Sequence, residues 1–306
     1  MNGIIEYDQK LTTLPKFLLI HQLSPKKNYW NIIFIFTTIY YITITLIILH
    51  SLPPKTININ IITVYFIRLE FFIDVAVIFY SYFYLQQLEY RFQMLNHSWK
   101  YLLPGFLTNP EESTHSLTEI TLDKLRLLHA ELSDLLRIFS EGFGKLLLGY
   151  FLFTYMVMIV NFYFIIIYTR KIVEYNFINI IQKCMPCFWQ IQNVTLILSI
   201  IIAASRVREK KRKIISHLRL IRISNLSANL KIQVKLFMNQ ISVLESSEIT
   251  AFGVFNINLN LVVSILVLLI IGLVTIIQMQ EHPIMLQLEE NLQIFIKNIN
   301  NKNITV

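Results

Sequence analysis

The chain has 306 residues, of which 55% are hydrophobic and 15% charged, with a mean hydropathy of +0.54; these values exclude an ordinary soluble domain and point to a polytopic, all-α membrane helix bundle. A net charge of +8 would suit nucleic acid in a soluble chain, but here it reflects basic loops held on the cytoplasmic side, and no nucleic-acid partner is expected. Two cysteines are too few for a disulfide scaffold, seven glycines leave little room for a nucleotide-binding turn, and no metal, nucleophile or paired-carboxylate motif is found, so neither an enzyme nor a cofactor is expected.

Residues 1 to 28 form a polar segment whose Lys10, Lys16, Lys26 and Lys27 place the N-terminus in the cytoplasm. No cleavable signal peptide is visible, because the first apolar run begins near Trp30 and continues for a full span to His50. Residues 29 to 85 hold the first two transmembrane helices. The first ends at Ser51-Leu52-Pro53-Pro54, a short external turn, and the second, from about Asn58 to Leu85, carries Arg68, Glu70 and Asp74. Ionisable groups inside a span are expensive and must face a bundle interior or a wet cavity. Glu70 and Asp74 share a helix face, while Arg68 points nearly the opposite way, toward another helix. The three suit either a ligand pocket or a buried ion network that fixes helix order.

Residues 86 to 144 are a cytoplasmic loop and helix. Pro104, Gly105, Asn109, Pro110 and the Ser/Thr-rich stretch to Thr118 read as the loop. Beyond it Leu122, Leu125, His129, Leu132, Leu136, Phe139 and Phe143 recur every three or four residues, which predicts an amphipathic helix with one apolar seam. His129 in that seam reads as a hydrogen-bonded packing histidine. The helix is expected to run through Gly142 and Gly144 into the third span, Lys145 to Tyr168. Residues 145 to 205 hold the third and fourth spans. The fourth, about Pro186 to Ser205, contains Asn193-Val194-Thr195, a glycosylation sequence placed where it cannot serve. Cys184-Met-Pro-Cys187 just before it reads as a chance pair or a local disulfide.

Residues 206 to 248 open with Arg-Val-Arg-Glu-Lys-Lys-Arg-Lys, a cytoplasmic stop that also suits anionic membrane lipid. Leu230, Val234, Phe237, Ile241 and Leu244 then make a second seam, natural for packing against the first. From Ile249 to Gln280 no charge interrupts the chain, and the run exceeds the roughly 20 residues a helix needs to cross a bilayer. It reads as one last transmembrane helix. At 100° per residue Asn256, Asn260, Ser264, Thr275 and Gln278 fall within about a third of its circumference, with Gly253, Val267 and Ile271 between them. Lipid cannot satisfy such a stripe, so it faces protein, as a packing surface, or water, as a pore. Five spans put the tail, residues 281 to 306, outside the cell.

Several blocks resemble the gustatory receptors of insects, relatives of the odorant receptors. Glu6, Tyr7, Asp8, Lys10 and Leu11 resemble the family's first cytoplasmic loop, and Arg91-Phe92-Gln93-Met94-Leu95-Asn96 resembles the Arg-Phe-x-x-Leu-Asn element of its second. Phe237, Gln240, Ile249-Thr250-Ala251, Gly253-Val254-Phe255 and Gln278 stand at the spacing of its last-helix signature. Ile271-Gly272 replace that signature's Thr-Tyr, and Met279 replaces its final Phe. The resemblance implies that these five spans correspond to the last five of seven. It also implies a homo- or heterotetrameric cation channel of the plasma membrane, opened by a small-molecule tastant bound externally. Asn260, Ser264, Val267, Ile271, Thr275 and Gln278 would then line the pore, and Arg68, Glu70 and Asp74 are candidates for the ligand. The competing expectations are a transporter or scaffold that packs the stripe inside its bundle, and an incomplete, inactive receptor.

Overall fold

The computed structural model describes residues 2 to 14, 29 to 51, 73, 75 to 108, 112 to 170, 177 to 219, 226 to 244 and 249 to 280. Its helices are α1 (Asn2–Leu11), α2 (Tyr29–Ser51), α3 (Tyr80–Thr108, entered through a π-helical turn at Val75–Phe79), α4 (Glu112–Arg170), α5 (Phe177–Arg219), α6 (Ala228–Leu244) and α7 (Leu259–Gln280). One two-stranded antiparallel hairpin, β1 (Thr250–Ala251) with β2 (Phe255–Asn256), separates α6 from α7. The architecture is a helical membrane bundle. Among the described residues α4, α5 and α7 contain stretches long and apolar enough to span a bilayer, while α2 contributes a shorter apolar stretch, Asn31–Ile47.

Local chemistry explains the helices. In α2 the hydroxyls of Thr37, Thr38, Thr43 and Thr45 each donate to the carbonyl four residues back, at 2.8 to 2.9 Å, so none of these four meets an apolar medium unsatisfied. Helix α3 does not stop at Pro104-Gly105, as turn chemistry suggests, but continues to Thr108. Buried Trp99 and Leu102 extend its apolar seam, and that packing outweighs the hydrogen bond a proline removes. The expected loop to Thr118 is correspondingly shorter, because α4 starts at Glu112 and runs unbroken for 59 residues through Gly142 and Gly144. Helix α5 likewise carries its span straight into the basic run and ends at Arg219. Cys187 lies within α5 as an exposed free thiol, which removes the local disulfide.

The chain forms two compact units. The first comprises residues 1 to 151 and 196 to 261. Its core is the pair of predicted seams: Leu122, Leu125, Leu132, Leu136 and Phe139 of α4, and Leu230, Val234, Phe237 and Ile241 of α6, are all buried. Leu85, Leu88, Phe92, Leu95 and Trp99 add a third seam from α3 at the same three-and-four spacing. Aromatic rings bind the three together, with Phe237 lying 5.6 Å from Trp99 and 5.5 Å from His129. Helix α1 docks by burying Tyr7 and by pairing Asp8 with Arg91, while Asn96 Nδ2 donates to the Lys210 carbonyl of α5 at 2.7 Å. The second unit, residues 152 to 195 and 262 to 306, buries Thr154, Met158 and Ile159 of α4, Gln190 and Asn193 of α5, and Leu269 of α7.

Candidate functional site: the last helix and its support

The uncharged run from Ile249 is not one helix. Its first ten residues form the hairpin and its flanks, and α7 begins only at Leu259. Thr250, Val254 and Ile257 are β-branched, and the turn needs positive φ at Phe252 (52°) and Gly253 (72°), which a helix cannot supply. The Val254 amide closes this turn on the Ala251 carbonyl at 3.0 Å, and the Ile257 amide returns to the Ile249 carbonyl at 2.8 Å. Asn256 and Gly253 therefore leave the helical stripe to which the sequence assigned them. Asn258 caps α7 instead, its Oδ1 accepting the Leu261 amide at 3.2 Å.

Helix α4 holds this hairpin. Ser140 Oγ accepts the Thr250 amide at 3.0 Å and lies 3.1 Å from the Thr250 hydroxyl, which itself accepts the Gly253 amide. A methyl group on Gly144 would stand 2.8 Å from the Phe252 backbone nitrogen, so only glycine permits this approach. Lys145 sits over the Phe252 ring at 5.1 Å, and Phe151 meets Phe255 edge-on at 5.6 Å. The signature residues from Ile249 to Phe255 thus make the joint between the packed helices α3, α4 and α6 and α7.

Along α7 the two faces differ. Asn260, Ser264, Val267, Ile271, Thr275 and Gln278 are all exposed and fall within about 80° of one another at 100° per residue. The half-turn opposite contains Ile265, Leu269, Gly272 and Ile276, of which Leu269 is only 4% exposed. Gly272 lets α4 come close. A methyl there would lie 2.9 Å from Ile159 Cδ1, and the Tyr155 hydroxyl reaches past it to donate to the Leu268 carbonyl at 3.0 Å. The apolar stretch of α7 is 6% buried, against 39% for α4 and 44% for α5.

Arg68, Glu70 and Asp74 lie outside the described residues. Three other polar groups in the spans passed unremarked as candidates in the sequence: the Nδ2 of Asn161 on α4 and both amide atoms of Gln190 on α5 are buried without a hydrogen-bond partner, and Asn193, one turn beyond Gln190, is buried too. Their signal was available as amides inside uncharged runs, which hydrocarbon does not tolerate unpaired. His129, expected to be hydrogen-bonded, is fully buried with neither ring nitrogen partnered; it packs between Phe92 and Phe237. Burial, aided by the positive charge of Lys211, pushes its pKa down to about 3, so the imidazole is neutral at physiological pH. Among the described residues no cluster of three or more potential metal ligands exists.

The motif residues divide along the same line. Arg91 grips Asp8 through Nε at 2.9 Å and Nη2 at 2.5 Å, Phe92 and Leu95 are core, and Gln240 donates to the Arg126 carbonyl at 3.0 Å. These are contacts that assemble helices, and none of them offers reactive chemistry. In comparison with known proteins, the model of a family described as 7tm chemosensory receptor matches residues 8 to 281. No curated protein matches the chain.

Proposed function

The chain belongs to the 7tm chemosensory receptor family, and from that premise we propose that it is a ligand-gated, non-selective cation channel opened by a small-molecule tastant. In this reading four copies, identical or mixed with related receptors, surround an axis lined by α7. The protein sits in the plasma membrane with its N-terminus and α5–α6 segment in the cytoplasm and its C-terminus outside.

One observation carries the reading: α7 leaves Ser264, Val267, Ile271, Thr275 and Gln278 exposed and packs through the opposite face. A stripe serving only to pack the bundle would be turned inward. Hydroxyl and amide oxygens of Asn260, Ser264, Thr275 and Gln278 can replace part of a cation's hydration shell without holding it too tightly to leave, and Val267 and Ile271 can close the path by dewetting. A ring of Gln278 is neutral, so discrimination among small cations is weak. For the ligand, Arg68, Glu70 and Asp74 remain candidates, and Gln190, whose buried amide lacks a partner, joins them.

The test is ionic current from cells expressing the chain, alone or with related receptors. Gln278→Arg places four positive charges at the external end of the path and should suppress cation current, whereas Gln278→Glu should alter permeation without blocking assembly. Normal assembly of Gln278→Arg with unchanged current and ion preference would remove Gln278 from the pore.

A further inference from the structure

The basic run of α5 has chemistry that the channel reading does not use. Ser205, Arg208, Glu209, Arg212, Lys213 and Ser216 recur at three- and four-residue intervals and occupy one face of α5, while Val207, Ile214 and Leu218 of the other face are buried. That polar face forms one wall of a cleft of about 480 Å³, and Asn258 with the first residues of α7 forms the other. The cleft gathers three cations against a single carboxylate. Glu209 pairs with Lys213 at 3.4 Å, in a pair exposed to water. The Oγ of Ser205, which lines the cleft, is buried and has no hydrogen-bond partner. The opposite wall is a capped helix N-terminus, whose backbone amides and dipole favour negative charge.

Such a lining is rich in donors and poor in acceptors, and its natural occupant is a multiply charged phosphate. Its level in the chain points to the source. The uncharged part of α5 ends at Ser205, and the uncharged run of α7 starts at Leu259, so the cleft lies where two apolar stretches begin, at the height of lipid headgroups. We propose that this cleft is a binding site for a phosphorylated lipid headgroup, an inositol phosphate of the membrane leaflet that faces the basic run, and that the bound phosphate ties the cap of α7 to α5. The proposal rests on the membrane placement of α5 and α7 but not on conduction.

The purified full chain in neutral detergent, titrated with fluorescent phosphatidylinositol 4,5-bisphosphate, separates the possibilities. Saturable binding that weakens with added salt is expected for the unmodified chain. Arg212→Gln with Lys213→Gln should weaken it at least tenfold. Arg206→Gln with Arg219→Gln, which removes the same charge from α5 outside the cleft, should change it less than threefold. Glu209→Gln should tighten binding a few-fold, a gain that misfolding cannot produce. Equal weakening by the two double variants would reduce the effect to diffuse attraction and overturn the site. Inositol 1,4,5-trisphosphate and inorganic phosphate serve as competitors. Displacement by either at the concentration at which the lipid itself saturates would overturn the lipid as the source. A cleft that binds while the channel fails to conduct would sink the channel reading alone.

Discussion

The packed helices α3, α4 and α6 and the last helix α7 treat apolar side chains in opposite ways. In the first, α3, α4 and α6 bring Phe92, Trp99, His129 and Phe237 into one aromatic cluster, and the residues of the seams are almost completely buried. In α7, Val263, Val267, Ile270, Ile271 and Val274 are 47 to 63% exposed, and Leu269 is the apolar side chain that the chain itself covers. A charge-free helix is at ease with lipid on its apolar side, but amides and hydroxyls on the same exposed surface are not. The first region has found its partners within one chain. The second leaves its polar stripe exposed.

The largest expected effect breaks the packed side of this contrast. Phe237→Ala opens a cavity where three helices meet and should cost about 3–5 kcal/mol, whereas Val274→Ala on α7, at a site about half exposed, should leave folding of the single chain within about 0.5 kcal/mol. Thermal unfolding of the two variants in detergent measures the difference. Similar losses would mean that α7 is as much part of the folded core as α6.

The joint between the regions comes next. Gly144→Ala would push a methyl against the Phe252 backbone, which cannot rotate aside as a side chain can, and should cost about 1–3 kcal/mol. Accelerated proteolysis at the hairpin, with α3 and α6 still protected, is the expected signature. An unchanged digestion pattern would show that the hairpin is not held by this contact.

A smaller and graded effect is pH dependence of the packed helices. Unfolded, His129 takes a proton near pH 6.5; folded, burial keeps it neutral down to about pH 3. Between those values the unfolded state binds the extra proton, so stability falls as pH falls, by on the order of 1 kcal/mol per pH unit. His129→Phe should flatten that dependence. If the variant keeps the full slope between pH 6.5 and 4.5, other groups are responsible.

These contrasts also mark what could be read from residues alone. The seams of α4 and α6 were legible because apolar residues at three- and four-residue spacing must share a face, and the same spacing was present, unread, from Leu85 to Trp99. The partition of the last run was hidden, since a helix and a hairpin are equally free of charge. Only Gly253, the β-branched residues around it and Asn258 distinguished them. The Asp8–Arg91 pair bridges 83 positions, a separation at which no local period gives information. Gly272 was noticed as a departure from the family signature, but the reason for a small residue there, the close approach of Tyr155 and Ile159, belongs to tertiary structure.

The account stands on the proposal that α7 offers its polar stripe to other copies. Val267 and Leu269 lie two residues apart and on opposite faces, one 48% and the other 4% exposed. In a background of Cys184→Ser and Cys187→Ser, Val267→Cys and Leu269→Cys can be treated in native membranes with a short bis-maleimide linker and sized by denaturing electrophoresis. Covalent dimers from Val267→Cys, with Leu269→Cys remaining a monomer, are the predicted result. Monomer alone from Val267→Cys at full thiol reactivity, or equal cross-linking from both positions, would contradict a central α7.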